Sequence, residues 1–282
     1  MDWSKAKSIL IIALLITNSV LLGFNIYNYE LTSDSSNTRG FLQETTELLA
    51  QKGIKIDTDV PRSRVKLHTL RVEFENFDPD ELNDRFFDEK GKINSPSTGL
   101  AKISFRKELI SIINNRRMIY ENSSDKKVYD INSLSDAQDI ANNFLMNHKF
   151  ETRDMKLTYM EKMGNSYILN YSKIQDDIIL EKSYTNFVID NTGVVSMDRL
   201  WLNVTDVSES QIHLIPASKA LLTLLDDNEY YNRTITNIDE CYYFDPEEQG
   251  YVEDITKAEQ GRAIPAWRIQ FADGENIEID NF

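Results

Sequence analysis

An uninterrupted apolar run near the N-terminus constrains this chain more than any other feature. Residues 9–24 read ILIIALLITNSVLLGF and carry no charged side chain. With the uncharged residues on either side, the stretch reaches the length of about 20 residues that a helix needs to cross the hydrocarbon core of a bilayer. The sequence therefore predicts a transmembrane helix over residues 9–29.

The residues that flank this run predict its orientation. Lys5 and Lys7 precede it, and the first charge after it is Glu30. Because positive charge is retained on the cytoplasmic side, residues 1–8 are expected in the cytoplasm and the chain after residue 30 outside the cell membrane. Trp3 and Tyr27 are expected at the two interfaces, where amphipathic rings anchor a helix.

A cleavable signal peptide is the main alternative to an anchor. Such a peptide ends in a small-x-small cleavage site after its apolar region. The residues that follow the run here, GFNIYNYELT, contain no site of the A-x-A type. The interpretation is an uncleaved, single-pass anchor, followed by a short polar tether over residues 30–39.

Polar and small residues inside the apolar run predict a helix–helix interface. An amide at mid-membrane is costly unless it finds a hydrogen-bond partner, so Asn18 is expected to face protein. Asn25 follows seven residues later on the same face, and Ser19 and Gly23 form a small-xxx-small pair that permits close backbone approach. A plain anchor with incidental polar residues is the alternative. The predicted seam comprises Thr17, Asn18, Ser19, Leu22, Gly23 and Asn25.

The composition predicts a folded, acidic body beyond the anchor. The 282 residues are 41% hydrophobic and 27% charged, which is typical of a folded chain. The formal net charge is −15. Because such a surface repels phosphate backbones, nucleic-acid binding is disfavoured.

Hydrophobic periodicity in the body predicts an α+β fold in two domains. Helical spacing over residues 41–52, alternation over 65–74 and an Asp78–Pro79 helix start fall in a first domain over residues 40–131. A helix capped by Ser133 or Ser135 opens a second domain over residues 132–282. Its helix-then-strands order repeats loosely, in 132–210 and 211–282. The predicted architecture is antiparallel sheets with helices on one face.

Sequence motifs of catalysis are missing. The chain has no nucleotide-binding glycine loop, no H-E-x-x-H, no C-x-x-C and no G-x-S-x-G. The single cysteine, Cys241, lies in an alternating strand-like context and is expected in the core. Paired carboxylates are plentiful, but 46 acidic residues produce such neighbours by chance. The sequence predicts no catalytic residue, no metal site and no cofactor.

The two ends of the chain resemble one known family. The opening MDWSKAKSILIIALLITNSVLLGF is similar to the start of the YycI (WalI) proteins of Gram-positive bacteria, in which a comparable cluster runs directly into one anchor helix. The closing AIPAWRIQFADGENIEID, residues 263–280, also resembles that family and is a strand-turn-strand of the kind found in PepSY-like domains. No catalytic motif comes with the resemblance.

The resemblance implies a regulatory role. YycI proteins act with the sister protein YycH on the sensor histidine kinase YycG (WalK) of the YycG/YycF (WalK/WalR) two-component system, which governs cell-wall metabolism genes. The implied partners are therefore a WalK-like kinase, contacted through the membrane helix, and a YycH-like protein. The expected function is a membrane-anchored accessory regulator rather than an enzyme. A membrane-tethered cell-wall hydrolase or a wall-binding module remains the alternative.

Overall fold

The computed structural model describes residues 14, 15, 17–21, 39–244 and 260–280. Residues 14, 15 and 17–21 are helical. No helix within these ranges is long and apolar enough to cross a membrane. Most of the predicted span over residues 9–29 lies outside the described residues.

The body consists of short helices and long strands. The helices are α1 (Arg39–Gln51), α2 (Pro79–Phe87), α3 (Leu134–Asn147) and α4 (Ala217–Ala220), and 3-10 turns follow α4 at Leu221–Leu225 and Asn228–Tyr230. The strands are β1 (Lys55–Ile56), β2 (Lys66–Phe74), β3 (Lys92–Ser97), β4 (Leu100–Phe105), β5 (Glu108–Ile113), β6 (Arg117–Asn122), β7 (Met155–Met163), β8 (Ser166–Gln175), β9 (Ile178–Asp190), β10 (Gly193–Leu200), β11 (Leu202–His213), β12 (Thr234–Tyr243), β13 (Gln260–Phe271) and β14 (Asn276–Ile279).

The starts of α2 and α3 confirm two predicted caps. The Asp78 carboxylate accepts from the backbone N–H groups of Asp80 at 2.9 Å and Glu81 at 3.0 Å. Ser133, rather than Ser135, caps α3, and it forms a capping box with Asp136. Both caps satisfy backbone donors that have no partner inside the helix.

All fourteen strands of the described ranges join one large sheet. Its order is β11-β2-β13-β12-β9-β10-β6-β5-β4-β3; β8 continues from β9 to β7, β14 pairs with β13, and β1 pairs with β12. The prediction of separate, purely antiparallel sheets is therefore corrected to a single mixed sheet, mostly antiparallel. The parallel contacts join β12 to β9 and to β1. They arise because long crossovers return the chain beside an earlier strand, a pairing that local patterns do not reveal.

Two main hydrophobic cores lie against this sheet. The first places α2 and α3 on strands β3–β10, with Phe77, Ile103 and Leu145 at its centre. The second packs α1 and α4 against β12–β14 around Leu49 and Trp267. Each core combines residues from before and after residue 131, the predicted domain boundary. The division into two domains with an internal duplication stays a prediction.

Candidate functional site

The described part of the predicted seam is exposed. Thr17, Asn18 and Ser19 lie in the helical segment, and all three are exposed. Their apolar neighbours are exposed as well, including Leu14 at 63% and Val20 at 65%. Apolar side chains in this state suit lipid or a partner helix better than water.

Helical spacing defines which residues share a face of this segment. Residues three or four apart on a helix are neighbours, so Asn18 adjoins Leu14 and Leu21, and Ser19 adjoins Leu15. The amide is thus flanked by leucines on its own face. The other predicted positions, in the seam and at the interfaces, lie outside the described residues: Leu22, Gly23, Asn25, Trp3, Lys5, Lys7 and Tyr27.

Cys241 has the environment of a core residue, as predicted. Its side chain is fully buried. Burial raises the pKa of its thiol well above the ordinary value, and the nearby Glu181 and Glu278 carboxylates add to this. Because the thiolate is the nucleophilic form, this thiol is chemically inert. The part of the chain that the structure describes also holds no cluster of three metal-ligating side chains.

A buried ladder of cations and aromatic rings adjoins the first core through Phe150, and the sequence did not predict it. Arg199 is 1% exposed and lies between two rings, with its guanidinium carbon 4.3 Å from the Trp201 centroid and 5.0 Å from that of Phe150. The ladder continues on each side: the Lys173 Nζ lies 5.4 Å from the Trp201 centroid, and the Arg85 guanidinium carbon lies 4.4 Å from the Phe150 centroid. Such contacts strengthen when they are removed from water.

Acidic partners neutralise this ladder. The Arg199 Nε donates to a Glu75 carboxylate oxygen at 2.6 Å, and its Nη1 donates to the Thr185 hydroxyl at 2.8 Å. Lys173 pairs with Asp154. Glu75 directly follows β2 and Arg199 belongs to β10, so the pair joins two strands that are not neighbours in the sheet. In the sequence, only the alternation of Arg199 and Trp201 could have indicated this ladder.

His148 lies at the C-terminal end of α3, beside the ladder of cations and aromatic rings. Its ring stacks on Phe86 with the centroids 3.9 Å apart, and its Nδ1 donates to the Phe144 carbonyl at 2.8 Å. Burial lowers the pKa of His148, and the positive charge of Arg85 lowers it further, against the opposing effect of the Phe144 hydrogen bond. Burial and the Arg85 charge thus favour the neutral imidazole in the folded protein.

Comparison with solved structures identifies the fold of the body. An uncharacterized protein from Eubacterium rectale superimposes with a TM-score of 0.53 at 11% identity, covering 80% of this chain and 86% of that protein. YycH from Bacillus subtilis superimposes with a TM-score of 0.51 at 12% identity, covering 76% of this chain and 53% of the YycH chain. Identities this low indicate a shared fold alone. No curated protein matches the sequence.

The family is defined by sequence over nearly the whole body. The model of the YycI protein family matches residues 32–282. The chain belongs to the YycI family. YycI proteins are membrane-anchored, non-enzymatic proteins, and membership implies an accessory regulatory role in the WalK (YycG) system in association with WalK and YycH.

Proposed function

We propose that this chain regulates a WalK-like sensor histidine kinase that controls cell-wall metabolism, through contacts between its N-terminal helix and the helices of the kinase. The observation that carries the proposal is the family match over residues 32–282. The exposed helical segment, in which leucines flank Asn18, supports the N-terminal helix as the surface that contacts the kinase. The α+β body then acts outside the membrane, bound to a YycH-like sister protein.

Regulation requires the helix to distinguish two states of the kinase. A ligand that binds both states equally shifts nothing. Each interhelical hydrogen bond in a membrane is worth about 0.6 kcal/mol. Two such bonds, from Asn18 and Asn25, made in one state alone give about 1.2 kcal/mol, a roughly eightfold shift of the kinase equilibrium. The seam thus supplies modest, reversible control.

The test is co-purification of the kinase from membranes. Three forms are compared: the full chain, a body of residues 30–282 exported without its anchor, and a chimera in which an unrelated apolar helix replaces residues 9–29. We expect the native chain to retain the kinase and the chimera to lose most of it. Equal retention by the chimera would assign recognition to the body, and retention by no form would contradict the regulatory role.

A further inference from the structure

A polar cleft opens in the body where β7, β8 and β9 face the β13–β14 hairpin. Its volume is about 360 Å³, which lies within the range of small-molecule sites. The lining side chains are mostly amides and hydroxyls. They include Thr158, Tyr159, Asn170, Ser172, Ser183, Tyr184, Asn186, Gln270 and Asn276.

A bulge in β9 creates this cleft. Strand β9 first pairs with β12 at Ile179 and Leu180, and from Tyr184 onward it pairs with β10. Ser172 of β8 pairs with Tyr184 while the next residue, Lys173, pairs with Leu180. Residues 181–183 therefore bulge, and Lys182 takes a left-handed conformation at φ 63°. Bulges of this kind redirect side chains and occur often beside functional sites.

Buried polar atoms around the cleft have no hydrogen-bond partner in the protein. They are the amide oxygens Asn170 Oδ1 and Asn276 Oδ1. Arg268 is 8% exposed. Its Nε lies 2.8 Å from Glu181 Oε1, an ion pair in which the N–H does not point at the oxygen. Because buried polar groups are nearly always satisfied, a cluster of them at one concave surface indicates a polar ligand.

The charges of the cleft select against ionic ligands. Glu181 pairs with Arg268, and Asp273 pairs with Arg233 outside the cleft, so the cleft offers neither an anion nor a cation a surface of one sign. What remains is an uncharged molecule that both donates and accepts several hydrogen bonds. The rings of Tyr159 and Tyr184 each combine an apolar face with a polar tip, which suits a ligand with apolar C–H surfaces between its hydroxyl groups.

We propose that this cleft binds a saccharide of one or two rings. This proposal adds a ligand for the outer body to the proposed function. It rests on that function for one point only, that the cleft lies outside the membrane. Binding requires no kinase, so a failure here leaves the regulatory role untouched, and the loss of kinase association leaves saccharide binding untouched.

The test is calorimetric titration of the full-length protein in lipid nanodiscs, which avoids detergents with sugar headgroups. The probes are cellobiose and N,N′-diacetylchitobiose, with spermine and inorganic phosphate as charged comparisons. We expect one-to-one binding of at least one disaccharide, weakened tenfold or more by Asn276→Ala and by Ser172→Ala. The matched control is Asn143→Ala, an exposed asparagine of α3, which should leave the affinity unchanged.

Each contrary result overturns the proposal. Absence of disaccharide binding at millimolar concentration would mean that water alone satisfies the buried atoms. Binding that survives both cleft substitutions would place the saccharide elsewhere. Spermine or phosphate binding that these substitutions abolish, without disaccharide binding, would make the cleft an ionic site. Two substitutions on different strands are used so that one poorly folded variant, recognised by its thermal unfolding, does not decide the outcome.

Discussion

Arg199 is the least exposed of the buried charged side chains in the described part of the chain, at 1%. Removing one member of a buried ion pair leaves an uncompensated charge and costs about 3–5 kcal/mol. We therefore expect Glu75→Ala, which leaves the Arg199 guanidinium without its carboxylate partner, to lower the free energy of unfolding by about 3–5 kcal/mol. A urea titration followed by tryptophan fluorescence measures this change. The control is Glu151→Ala, which breaks the exposed pair with Arg153 and should have a much smaller effect, because water screens that pair. Equal effects would contradict the role of the ladder.

His148 makes stability depend on pH. The folded protein lowers the pKa of His148 below its ordinary value, so the unfolded chain binds a proton first as the pH falls. Stability should thus decrease from about pH 6.5 downward, until the folded-state pKa is passed, and should be unaffected above pH 7.5. In His148→Phe this contribution disappears. Unfolding free energies of both proteins at pH 8.0 and 5.5 measure the difference, and parallel pH profiles would refute the assignment.

Sequence reasoning at the residue scale succeeded where partners are close in the chain. Asp78 caps residues two and three positions ahead, so its role follows from the local pattern. The Glu75–Arg199 pair joins residues 124 positions apart. Nothing in the neighbourhood of either residue specifies the other. The cleft was not predicted for the same reason, because Asn170 and Asn276 line one cleft only after the sheet has formed.

At the scale of elements, the start of α3 offers a matched pair of serines. Ser133 caps the helix and Ser135 does not. We expect Ser133→Ala to cost about 1 kcal/mol of unfolding free energy, since loss of a cap leaves a backbone N–H unsatisfied, while Ser135→Ala stays within about 0.5 kcal/mol. Urea titration of both variants gives the comparison. A larger loss of unfolding free energy in Ser135→Ala than in Ser133→Ala would show that Ser133 is not the cap.

Helices and hairpins of the body were largely predictable, and their assembly was not. The alternation over residues 65–74 and the helical spacing over 41–52 correspond to β2 and α1, because periodicity reports which face of an element is buried. The parallel pairing of β12 with β9 depends on a crossover through β10, β11 and α4. The sequence pattern also did not distinguish the two kinds of helix after Pro216, because α4 continues as a 3-10 turn from Leu221.

At the scale of the whole molecule, we propose different roles for the N-terminal helix and the acidic α+β body. In our proposal the helix contacts the kinase, and the body carries the sister protein and the saccharide cleft. The family could be identified from the two ends of the sequence, whereas the cleft required the folded sheet.

Autophosphorylation of the kinase in reconstituted vesicles tests the central claim most directly. The kinase is combined with the native chain, with the Asn18→Leu/Asn25→Leu variant, or with the helix-swapped chimera, at equal protein levels. The account predicts that the native chain changes the rate severalfold and that the variant and the chimera lose most of this effect. An effect of the same size with all three proteins would contradict regulation through the helix.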